Sequence, residues 1–140
     1  MSTNKKLIIA VDFDGTVVKH AFPFVGADVP HAVESLKALV EDGHKLVLYT
    51  MRAGAFLAEA HKWFLDRGIT LAGVQYAPGQ TEWTASNKCY AQVYIDDAAL
   101  GAPLIFEDDG RPYFDWIKGK AILNDLLARG LDLNPIHKDK

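Results

Sequence analysis

The stretch Leu7-Ile8-Ile9-Ala10-Val11-Asp12-Phe13-Asp14-Gly15-Thr16 decides how this chain is to be read. It opens on an unbroken apolar run, Leu7 to Val11. A strand with one wet face would alternate; an unbroken run predicts a strand covered on both faces, as in a parallel sheet. The run ends in a pair of acids, Asp12 and Asp14, after which Gly15 lets the backbone turn sharply. The same grammar recurs downstream. Lys45-Leu46-Val47-Leu48-Tyr49 predicts a second buried strand, ending in Thr50-Met51-Arg52. Ala91-Gln92-Val93-Tyr94-Ile95 predicts another, ending in Asp96-Asp97, with Lys88 just before it. A further strand is expected within Leu71 to Tyr76.

Helical patterns fill the intervals. Asp28 and Pro30 mark a helix start, Ala32, Val33, Leu36, Leu39 and Val40 form its apolar face, and Gly43 ends it. Ala53, Leu57, Ala60 and Phe64 recur at helical spacing up to Gly68. Asp115 is expected to cap a last helix that turns Ile117, Leu123, Leu126 and Leu127 inward and stops at Gly130. Asp109-Gly110 reads as a hairpin turn between Leu104-Ile105-Phe106 and Tyr113-Phe114, with Asp108 and Asp109 as turn acids. The polar tail from Asn134 is expected to fray. Alternating strands and helices predict an α/β fold: a three-layer, Rossmann-like parallel sheet with helices on both faces. In such sheets ligands bind at the C-terminal ends of the strands, where the polar strand ends of this chain converge.

Bulk properties narrow the field. A length of 140 residues suits one domain, spanning 1–140, and not two. A hydrophobic content of 49% supplies a core. The net charge of -3 offers no basic surface to nucleic acid, which leaves nucleic acid open only as a substrate. A single cysteine, Cys89, excludes an internal disulfide and a cysteine-based metal site; it reads as a small buried hydrophobe. No apolar run approaches the ~20 residues that span a bilayer. The start, Met1 to Lys6, is polar and carries no signal-peptide core. The expected setting is the cytoplasm, without a membrane partner.

The strand-end residues share one chemistry. A carboxylate can attack phosphorus, but phosphate repels it unless positive charge lies between them. Magnesium is a hard cation suited to carboxylate and phosphate oxygens, and Asp96 and Asp97 would add ligands to Asp12 and Asp14. Lys88 would hold the phosphoryl oxygens and offset the crowded acids, and Thr50 could donate a hydroxyl hydrogen bond. Taken singly each has a plainer reading: an acidic pair is a turn or a cap, Thr50 a cap, Lys88 a solvated cation. The joint order Asp-x-Asp-Gly-Thr, then Thr, then Lys, then Asp-Asp is what lifts the set above chance.

That set resembles the haloacid dehalogenase superfamily in its phosphatase branch, from Leu7 to about Asp97. The resemblance implies Asp12 as nucleophile, Asp14 as general acid and base, Thr50 and Lys88 as phosphate-binding residues, and Asp96 with Asp97 as the fourth motif. It implies Mg²⁺ held by the Asp12 carboxylate, the Asp14 carbonyl and Asp96, with Asp97 in support. It also implies hydrolysis of phosphate esters through an aspartyl phosphate. Members often carry a cap domain; Val17 to Val29 and Ala77 to Asn87 are too short to be one, so the chain resembles the capless subclass. An uncapped site calls for a large substrate or a second copy of the chain to cover it. Arg52, His20 and Trp83 are the candidates for its rim, with Arg52 expected to reach a substrate's leaving group. Two non-enzymatic readings compete. A phospho-receiver shares the chemistry but places its lysine last, whereas Lys88 precedes Asp96 and Asp97. A retired phosphate-binding module would not need the full set.

Overall fold

The computed structural model describes residues 6–130, so the polar start and the tail from Asn134 lie outside the described residues. Strands β1 (Ile8–Val11), β2 (Lys45–Leu48), β3 (Gly73–Val74) and β4 (Val93–Ile95) form one parallel sheet in the order β3-β2-β1-β4. β1, the most apolar segment, is central. Its register pairs Ile9 with Leu46 and Val93, and Ala10 with Val47 and Tyr94. Alternation therefore sends Ile9, Val11, Leu46, Leu48 and Ile95 to one face, and Ala10, Val47 and Tyr94 to the other.

The first face carries the main core. Helices α1 (Ala32–Glu41), α2 (Gly54–Asp66) and α3 (Trp116–Ala128) bury Leu36, Leu39, Phe64, Trp63, Trp116 and Leu123 against it. The second face is covered more thinly. Cys89 packs on Ala10 and Val47, with Ile8, Tyr49 and Ala91 around them. Its cover is the crossover from β3 to β4, whose helical content is one 3-10 turn, Gln80–Glu82. The sheet thus has its three layers, with the second helical layer reduced to a turn and a loop. A short antiparallel hairpin, β5 (Leu104–Ile105) and β6 (Tyr113–Phe114), leads into α3. No cap domain is inserted among the described residues, and no described helix is long and apolar enough to cross a membrane.

Two boundaries and one helix face differ from the sequence pattern for identifiable reasons. α1 begins at Ala32 after His31 in a left-handed conformation, not at Asp28. The Asp28 carboxylate is claimed by α2, accepting from Trp63 Nε1 at 2.8 Å and from Arg67 at 2.9 and 3.1 Å. β3 is only two residues long because Gln75, at φ 68°, turns the chain away. In α3 the inward residue of the first turn is Trp116, whose indole donates to Thr16 O at 2.8 Å; Ile117 and Leu126 are exposed, against expectation, while Leu123 is buried as expected. Asp115 caps α3 as expected, accepting from the Lys118 amide at 3.0 Å.

Candidate active site

The polar site is built on the loop that leaves β1. The Asp12 amide still bonds Ile95 O at 2.9 Å, so β1 and β4 run out side by side. Phe13 is buried against Trp63 and Phe64 and anchors the loop from below. Gly15 then reverses the chain at φ +84°, and its carbonyl accepts from the Phe114 amide at 2.9 Å. A Cβ at Gly15 would lie 2.1 Å from His20 Nε2 and 2.4 Å from Asp97 Oδ2, so only glycine lets those two groups meet there.

Asp12, Asp96 and Asp97 come together as the strand ends predicted. One carboxylate oxygen from each lies within 4.8 Å of the others. Thr16, fully buried, ties them: its hydroxyl oxygen accepts from the Asp97 amide at 3.1 Å, and its one hydrogen faces Asp12 Oδ2 at 3.1 Å and Asp97 Oδ1 at 3.3 Å. His20 lies 2.9 Å from Asp97 Oδ2. Burial first, then the Asp97 side chain and the charge of Asp96, push the Asp12 carboxyl up to about 8. The cause is physical crowding: three acids, partial desolvation and too little positive charge.

Asp14, on the same loop, sits in the opposite situation. Arg52 Nε and Nη2 both donate to its carboxylate, each at 2.8 Å. The Arg52 side chain is 1% exposed, and its guanidinium lies 4.9 Å from the Phe13 ring centre and 5.1 Å from that of Phe22. It also donates to Phe24 O at 2.9 Å and approaches Glu59 at 3.7 Å. Arg52 is therefore a buried clamp joining the Asp14 loop, the 17–29 flap and α2, not the rim residue its position after Thr50 predicts. The reason is that Asp14 offers a fixed, planar partner that matches the guanidinium fork.

The remaining expected residues divide. Thr50 sits at the end of β2, where its hydroxyl accepts from the Arg52 amide at 3.1 Å. Gln75 holds Thr50 on both backbone sides, accepting from its amide at 2.9 Å and donating to its carbonyl at 2.7 Å. Lys88 does not meet the acids: no ion pair joins it to a described acid, and its ammonium stands 5.5 Å from the Tyr94 ring centre. It is exposed on the crossover loop, so it does not offset the acidic crowding in this arrangement. Trp83 lies on the same loop, its ring 5.5 Å from that of Tyr90, on the second sheet face. His20 is drawn inward to Asp97 and is only 17% exposed along its side chain, so it too leaves the rim. Asp108 and Asp109 are exposed turn acids, and Cys89 is buried, its thiol pushed up to about 11 by desolvation. Thr16 and Gln75 are the residues that sequence reasoning passed over. Thr16 was visible in the Asp-x-Asp-Gly-Thr run, while nothing in the sequence marks Gln75.

No protein-family model matches the chain, and no curated protein matches it either. A solved structure of a conserved protein from Bacteroides thetaiotaomicron is similar to it at 32% identity, with a TM-score of 0.70. The match covers 96% of this chain and 100% of that one. The chain belongs to the family of that conserved protein.

Proposed function

We propose that the chain is a magnesium-dependent phosphohydrolase of the haloacid dehalogenase type, acting on phosphate esters through an aspartyl phosphate at Asp12. The observation that carries this reading is the Asp12, Asp96 and Asp97 triad, with oxygens within 4.8 Å and Asp12 pushed up to about 8. Such a set fits Mg²⁺: its donors are hard oxygens, no His or Cys belongs to it, and its crowding asks for a cation. Asp12, Asp96 and the Asp14 carbonyl would hold the ion, with Asp97 supporting them. When bound, Mg²⁺ screens the acids from the phosphate and draws charge away from phosphorus.

The chain's own groups then divide the work. An Asp12 oxygen bonds to phosphorus as the ester P–O bond breaks, and the departing oxygen takes a proton from Asp14. Water next attacks the phosphorus of the Asp12 phosphate, Asp14 takes its proton, and inorganic phosphate leaves. Arg52 donates to both Asp14 oxygens and so fixes the orientation of that carboxyl. Arg52 thus acts on the chemistry through Asp14. The Thr50 hydroxyl accepts from Arg52 and keeps its own hydrogen for a phosphoryl oxygen. Lys88 has a flexible stem on an exposed loop and would swing from Tyr94 to the phosphate.

An aryl phosphate tests the reading directly. Turnover should require Mg²⁺, vanish on chelation, return on adding Mg²⁺, and be poorly supported by Ca²⁺. Asp12→Asn should abolish it. Undiminished turnover in that variant, or after complete chelation, rules the mechanism out.

A further inference from the structure

The crossover loop that thinly covers the second sheet face lines an open cleft of about 380 Å³. Trp83, Tyr90 and Tyr94 supply its rings, Thr84 and Ser86 its hydroxyls, and Lys88 its charge. We infer that this cleft receives the leaving group of the substrate, and that the substrate is a phosphate monoester whose leaving group carries a planar aromatic ring. The inference rests on the hydrolase reading for the phosphate end and on the cleft alone for the ring end.

The cleft is built, not incidental. Gln80 is 1% exposed and stitches the loop to itself: Oε1 accepts from the Ala77 amide at 3.0 Å and the Tyr90 amide at 2.9 Å. Its Nε2 donates to Lys88 O at 2.7 Å. Thr84 Oγ1 accepts from the Ser86 amide and Ser86 Oγ from the Lys88 amide, each at 3.1 Å, so the backbone up to Lys88 is fixed turn by turn. The Tyr94 hydroxyl donates to Cys89 O and holds its ring in the wall. A volume of this size, aromatic walls and a few convergent polar groups are the usual makings of a small-molecule site.

Its position relative to the acids follows from strand alternation. Tyr94 pairs with Ala10 and faces the second side of the sheet. Asp12 follows Ala10 by two residues and Asp96 follows Tyr94 by two, so both leave the sheet on that side. Two residues of strand rise about 6–7 Å. A phosphate at the acids and a ring over Tyr94 are thus separated by a span that a ring-bearing ester bridges. Lys88 holds its ammonium 5.5 Å from the Tyr94 ring centre, so a cation stands beside the ring that would stack. Trp83 and Tyr94, both 37% exposed, put aromatic surface into solvent beside a cation, an arrangement that serves stacking better than it serves the core.

Fluorescence titration of the full chain carrying Asp12→Asn provides the test, with adenosine 5′-monophosphate and ribose 5-phosphate as probes. Trp63 and Trp116 are buried, so a ligand in the cleft is reported by Trp83. Adenosine monophosphate should quench saturably and bind at least about fivefold more tightly than ribose 5-phosphate, the low end of one base–aromatic stack. Trp83→Leu should remove the quench, and both Trp83→Leu and Tyr94→Leu should erase that margin in calorimetry. Lys88→Met should lower the affinity for adenosine monophosphate to that for adenosine. Equal binding of the two probes, or a margin that survives both ring substitutions, overturns the cleft as a ring site. Phosphate release by the wild-type chain with Mg²⁺ is scored separately. Ring-dependent binding without release leaves the cleft standing and removes the hydrolase reading; release without ring preference does the reverse.

Discussion

Asp12 and Asp14 leave the same strand two residues apart and end in opposite electrostatic settings. Asp12 faces Asp96 and Asp97, pairs with no cation among the described residues, and is pushed up to about 8. Asp14 is gripped by a buried guanidinium at two points, 2.8 Å each. One acid is hydrogen-bonded but has no paired cation among the described residues, and the other has one. An uncompensated cluster of acids favours a cation from solution; a compensated pair is a fixed piece of architecture. The contrast predicts opposite consequences for removing charge on the two sides.

The largest effect is expected on the Asp14 side. Arg52→Ala removes a cation that Asp14, Phe24 O and the Phe13 and Phe22 rings all contact. Breaking a buried pair from one end costs about 3–5 kcal/mol. Because Asp14 retains some solvent contact, the low end, about 3 kcal/mol, is expected in urea unfolding. Arg52→Lys should recover only part, since an ammonium cannot reproduce the two-point fork. A loss under about 1 kcal/mol would mark Arg52 as an ordinary surface pair and erase the contrast.

On the Asp12 side the sign reverses. The unfolded chain loses the Asp12 proton near 3.8, while the folded chain keeps it to about 8. Between those values the folded state binds the extra proton, so stability falls as pH rises from about 4 to about 8 and levels off above. His44 works against this trend: burial lowers its folded value, so its share of stability grows as pH rises toward 6.5. The Asp12→Asn difference isolates the acid. The metal-free variant should be more stable than wild type at pH 8 and equal to it near pH 4, in thermal melts. Mg²⁺ should raise the wild-type melting temperature at pH 8 far more than that of the variant. A wild type that gains stability from pH 5 to 8 relative to Asp12→Asn would contradict the crowding argument.

These differences also mark what could be read from residues alone. β1 and β2 were readable because unbroken apolar runs admit few alternatives, and the meeting of Asp12, Asp96 and Asp97 followed from the strand-end rule. Arg52 was misplaced because proximity to Thr50 in sequence says nothing about Asp14, which is 38 positions away. Gln75 was invisible since a left-handed conformation at a glutamine is enforced by tertiary contacts, here its two bonds to Thr50. The second layer was expected as a helix from topology, yet residues 77–91 have no helical apolar period to form one. At the start of α3 Trp116 and not Ile117 turns inward because its indole found the Thr16 carbonyl, a contact across 100 positions, while Leu123 is buried as expected.

The smallest effect tests the joint between the acids. Thr16 holds Asp12 and Asp97, which come from different strands, through one hydroxyl. Thr16→Ser keeps that oxygen and hydrogen and loses a buried methyl, a change worth about 0.8 kcal/mol. Thr16→Val keeps the shape and removes the hydroxyl, leaving the Asp97 amide without its partner at a cost of about 1–3 kcal/mol. The two variants are close in stability but should separate in metal binding. Without the hydroxyl the direct link between the two carboxylates is lost, and loss of such an outer-shell bond commonly lowers metal affinity 10–100-fold. Isothermal titration with Mg²⁺ should therefore show Thr16→Ser near wild type and Thr16→Val weaker by about tenfold or more. If the two variants bind Mg²⁺ alike, Thr16 only fills space, and the triad owes its geometry to the strands alone.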